Sequence, residues 1–62
     1  MQGFYVCCVA YTYGIGEPNY FQYFEKYLEA HDATDAEWAF ANELLTKVEW
    51  NTYLDIYVQL AA

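Results

Sequence analysis

The sequence contains no arginine, and its only lysines are Lys26 and Lys47. Proteins that grip nucleic acid gain affinity by neutralising phosphates with basic side chains. Nine acidic residues against two basic ones leave a net charge of -7, which argues against direct binding to nucleic acid and against adsorption to an anionic membrane. No apolar run approaches the roughly 20 residues of a helical membrane span. The N-terminal segment also lacks the basic start and small-residue cleavage site of a secretory signal. Cysteine is confined to the neighbours Cys7 and Cys8, which point to opposite sides of an extended segment and make no disulfide framework. A reducing, cytoplasmic setting is the expectation.

What is abundant is aromatic. Eight Tyr, four Phe and two Trp make up 23% of a chain of 62 residues, which has room for one domain, residues 1–62, and no more. Domains of this size bury little surface, so the rings must supply much of the core. With 58% hydrophobic residues in periodic patterns the chain reads as globular rather than disordered.

Phe4 to Tyr13 has a strand composition, closed by the turn-forming Gly14-Ile15-Gly16. Its alternation puts Phe4, Val6, Cys8 and Ala10 on a core face and Tyr5, Cys7, Val9, Tyr11 and Tyr13 on the other. Pro18 suits a first helical turn, and polar Gln22, Glu25, Lys26 and Glu29 recur at three- and four-residue steps, which predicts a helix over 18–31. That helix carries an apolar arc wider than two packed layers need. Thr34-Asp35-Ala36-Glu37 matches a capping box and predicts a second helix over 35–48, buried through Trp38, Ala41, Leu44, Leu45 and Val48. Thr52 to Leu60 alternates without a break: Leu54, Ile56, Val58 and Leu60 face one way, Tyr53, Asp55, Tyr57 and Gln59 the other. The expected fold is α+β with β-α-α-β order, a two-stranded antiparallel sheet packed on a helical hairpin and extended or covered by oligomerisation.

Three constellations could carry chemistry. His31, Asp32, Asp35 and Glu37 share one segment, but the spacing fits no metal site and helix capping accounts for most of it. Cys7 or Cys8 with His31 could make a nucleophile and base, yet an acidic chain offers few cations to activate a thiol. The Gly14-Ile15-Gly16 loop lacks the lysine and third glycine of a phosphate cradle, and Glu17 would repel the anion. No cofactor, no metal and no catalytic residue is therefore assigned.

The candidate interaction residues are Tyr5, Tyr11, Tyr13, Tyr53 and Tyr57 on an open sheet face, with Glu25, Glu29 and Asp32 on the helical hairpin. Tyrosine offers large, rigid contact area and a hydroxyl that stays hydrogen-bonded. The expected partner is another protein with a basic surface, alongside a homodimer formed through the same face. In size and charge the chain resembles the small acidic inhibitors that phages and mobile elements make against host nucleases and polymerases. That resemblance implies a non-enzymatic protein blocking a nucleic-acid-handling surface. On the expected helix Glu25 and Glu29 lie about 6 Å apart by helical rise, a spacing at which they could stand in for phosphates. A structural homo-oligomer with no foreign partner is the alternative, and a thiol-dependent enzyme a more distant one.

Overall fold

The computed structural model describes residues 1–14 and 20–61. Its elements are β1 (Gln2–Thr12), β2 (Tyr20–Ala30), α1 (Ala33–Leu45) and β3 (Thr52–Leu60). They form one three-stranded sheet in the order β2-β1-β3, with β1 antiparallel to both neighbours. The expected β-α-α-β fold with a two-stranded sheet is thus corrected to β-β-α-β, a small α+β fold with one helix. The Gly14-Ile15-Gly16 turn, beyond Gly14, and the proposed helix start at Pro18 lie outside the described residues.

The segment read as the first helix is strand β2, and packing explains why. As a helix, Tyr20–Ala30 would present aromatic residues over most of its circumference with only one surface to bury them against. As a strand it divides them between two faces, and aromatic side chains favour that environment. The central position of β1 supplies the complementary demand. Phe4, Val6, Cys8, Ala10 and Thr12 are all buried and Cys7 and Val9 half-buried, so this strand needs a neighbour on each edge. In the register, Tyr5 opposes Tyr27 and Tyr11 opposes Phe21. Both pairs meet as tilted or edge-on rings, with centroids 5.5 and 5.6 Å apart, a geometry that contributes beyond simple area burial.

One face of the sheet is covered by α1. Ala36, Phe40 and Leu44, one helical turn apart, pack on Phe4, Val6, Cys8 and Ala10, and Phe24, Leu28, Leu54, Ile56 and Val58 flank the contact. The helix begins two residues before its expected start. Asp32 is the N-cap, its Oδ1 accepting the Asp35 N–H at 2.8 Å, so Asp32 takes the place assigned to Thr34. The buried stripe also differs from the expected one, though Leu44 belongs to both. Trp38 and Leu45, expected inside, are 64% and 62% exposed, while Phe40 takes the central core position. The helix ends near Thr46, whose hydroxyl donates to the Glu43 carbonyl. β3 then opens at Thr52, as the alternation predicts. Thr12 and Thr52 share a hydroxyl hydrogen bond of 3.0 Å across the β1–β3 pair.

Candidate functional site

Residues directly opposite in an antiparallel sheet share a face, so the register fixes what the uncovered side presents. Across β2, β1 and β3 its rows read Tyr27-Tyr5-Gln59, Glu25-Cys7-Tyr57, Tyr23-Val9-Asp55 and Phe21-Tyr11-Tyr53. Tyr5, Tyr11, Phe21, Tyr23, Tyr27, Tyr53 and Tyr57 are each between 40% and 70% exposed. Together they make a contiguous exposed aromatic surface.

Of the residues expected at an interface, Tyr5, Tyr11, Tyr53 and Tyr57 lie together on this face. Tyr13 sits just past the end of β1, its N–H donating to the Asn51 carbonyl at 3.2 Å and its carbonyl accepting from the Asn51 side-chain amide. Glu25 and Glu29 were expected on a helix one turn apart. They occupy the open face of β2 instead, opposite Cys7 and Gly3, which removes the helical spacing on which phosphate mimicry was argued. Asp32 is separate from the face and committed to capping α1. The helix reading of 18–31 concealed Phe21, Tyr23 and Tyr27. The signal for them was the odd-numbered run 21, 23, 25, 27 and 29, which continues the alternation seen in β1.

The two sides of the sheet differ in charge. Lys26 lies on the covered side, and its Nζ donates to both oxygens of Glu43, at 3.1 and 2.9 Å. Lys47 approaches the same carboxylate at 3.6 Å. Hydrogen bonding from Lys26 and the charges of both lysines hold the Glu43 carboxyl below its ordinary range. The chain's lysines are thus gathered around one helical glutamate, while Glu25, Glu29 and Asp55 stand on the aromatic side with no lysine among its described residues.

The carboxylates on the open face engage the phenols. The Tyr57 hydroxyl donates to Asp55 Oδ2 at 2.7 Å, and the Tyr23 hydroxyl to Glu25 Oε2 at 3.4 Å. The Asp55 hydrogen bond pushes the Tyr57 pKa up, and contact with the Cys7 thiol, then burial and Glu25, does the same for Tyr23. A raised phenol favours the neutral ring, so the stability from the Tyr57 bond is fully present below the ordinary tyrosine pKa of about 10 and is lost as pH rises through the folded-state value. In an alkaline titration followed by phenolate absorbance, Tyr23 and Tyr57 are expected to ionise above the ordinary tyrosine pKa of about 10. Tyr57→Phe should remove one late-titrating group; an unchanged late phase would show that the Asp55 bond does not persist in solution.

Cys8 is fully buried under the helix, and burial raises its thiol pKa. Cys7 is half-buried on the open face. His31 and Glu37 are exposed near the helix start, and no group of three or more metal-ligating side chains converges among the described residues. No helix among them is long and apolar enough to cross a membrane. Comparison of the chain with protein-family models, characterised proteins and solved structures gave no match.

Proposed function

We propose that the protein is a non-enzymatic interaction module that lays its open sheet face on a basic surface of another protein, with occlusion of a nucleic-acid-handling site as the consequence. The observation supporting this reading is the segregation of charge and aromatic area. Exposed rings and Glu25, Glu29 and Asp55 share one face, while both lysines are drawn to Glu43 on the other side. Aromatic rings supply desolvated anchors and also attract cations over their faces, and the carboxylates give complementarity and steering.

Affinity capture with the full chain, followed by binding measurements on the protein recovered, tests the reading. Tyr11→Ala and Tyr53→Ala are each expected to weaken binding by about 30-fold, mainly through faster dissociation. Reversing Glu29 and Asp55 to Lys should slow association and flatten its salt dependence. Trp38→Ala on the helix should leave binding unchanged. A partner held equally by the face variants but released by Trp38→Ala would overturn the assignment of the face.

A second reading, self-association as a C2 dimer, draws support from the outer edges of β2 and β3, which have no neighbouring strand among the described residues. Light scattering on the purified chain separates the two: a mass that stays monomeric at high micromolar concentration rejects the dimer.

A further inference from the structure

The middle of the open face is a groove rather than a flat platform. It has a volume of about 730 Å³, is open to solvent and is walled by Tyr5, Tyr23, Tyr27 and Tyr57, with Cys7 on the central strand and Glu25 at one side; Lys26 also lines it, but its ammonium is drawn to Glu43 on the other side of the sheet. Its position follows from the register. Cys7 is flanked directly by Glu25 and Tyr57, and Tyr5, Tyr23 and Tyr27 stand in the rows on either side. The small cysteine side chain between large rings leaves the depression.

The hydrogen bonds around it decide what it can recognise. The Tyr57 proton points to Asp55 and the Tyr23 proton to Glu25. Each phenol oxygen is therefore left as an acceptor, and the second oxygen of Glu25 also remains to accept. A ligand suited to these groups carries positive charge, donates several hydrogen bonds in one plane and offers a flat surface to aromatic rings. A guanidinium does all three. An ammonium is a compact, strongly hydrated point charge that cannot stack. We infer that this groove is a receptor for a single arginine side chain of the partner, its guanidinium stacked among the tyrosines and hydrogen-bonded to Glu25 and the phenol oxygens. This deepens the docking reading and rests on it for the source of the arginine.

The test uses the full chain, isotopically labelled for amide NMR, titrated with three blocked tripeptides: Gly-Arg-Gly, Gly-Lys-Gly and Gly-citrulline-Gly. Citrulline keeps the shape of arginine and removes its charge. The arginine peptide is expected to shift the amides of Cys7, Glu25 and Tyr57 and to bind at least about tenfold more tightly than the citrulline peptide and several-fold more tightly than the lysine peptide. Glu25→Gln, with circular dichroism unchanged, should weaken the arginine peptide several-fold. Equal binding of arginine and citrulline, equal binding of arginine and lysine, or shifts confined to the acidic helix surface would each overturn the inference. Its failure is separable from failure of the docking reading. If only the groove assignment is wrong, the captured partner is still lost on Tyr11→Ala and Tyr53→Ala but kept by Glu25→Gln. If only docking is wrong, the arginine peptide still binds at Cys7 while the face variants affect no partner.

Discussion

Phe40→Ala is expected to leave the domain largely unfolded at room temperature. Phe40 is 2% exposed and sits between Ala36 and Leu44 at the centre of the helix–sheet contact. Truncating a buried phenylalanine costs about 3–5 kcal/mol in lost transfer energy and residual cavity. A chain of this length has a total stability of about 3–9 kcal/mol, so one substitution removes most of it. The neighbouring Trp38, though larger, is mostly exposed, and Trp38→Ala should shift the midpoint of denaturant unfolding little. Urea titrations of the two variants followed by circular dichroism check the contrast. Comparable destabilisation by both would mean that the helix packs through the face expected from the Thr34 capping box instead.

The second large effect is expected from Val9→Pro. Val9 is opposed by Tyr23 on one side and Asp55 on the other. Whichever neighbour its N–H faces, the bond belongs to a ladder, and proline deletes the donor and crowds the adjoining strand. The side chain is on the open face, so the ring itself disturbs no core contact. Loss of cooperative folding in this variant, against mild destabilisation by Val9→Ala, marks β1 as central. A folded Val9→Pro protein would mean that one side of β1 is open at this point, as in a two-stranded sheet.

That sheet was expected from the sequence, and the reason it was wrong is instructive at the level of residues. Strict alternation in Thr52–Leu60 has a single physical solution, and the strand lies where the pattern puts it. The two faces of β1 were equally legible, because small and aliphatic residues alternate there with tyrosines. Tyr20–Ala30 was ambiguous. Gln22, Glu25, Lys26 and Glu29 satisfy helical spacing, while Glu25, Tyr27 and Glu29 satisfy a two-residue period with Tyr23. Local pattern could not decide between them; the pairing of this segment with β1 along its whole length is a long-range fact. The site suffered the same fate. The tyrosines of β1 and β3 could be placed on one open face from alternation alone, whereas the groove required Tyr23, Glu25 and Tyr27 in cross-strand register, a long-range fact. The helix start moved because Asp32, two residues before Thr34, accepts the Asp35 backbone N–H and caps the helix itself.

The order β2-β1-β3, with both outer strands opposed to β1, has a consequence for how the sheet could grow. β2 and β3 point the same way. Simple translation of one molecule beside another would set β3 against the next β2 in parallel, an arrangement that repeats without end and uses the slightly weaker ladder. Rotation by half a turn about an axis perpendicular to the sheet sets β3 against β3, or β2 against β2, antiparallel, with the aromatic faces on the same side. Each such union uses one edge of each copy. Extension by translation is thus given the poorer hydrogen-bonding geometry and twofold pairing the better one, a bias set by chain direction before any side chain is considered.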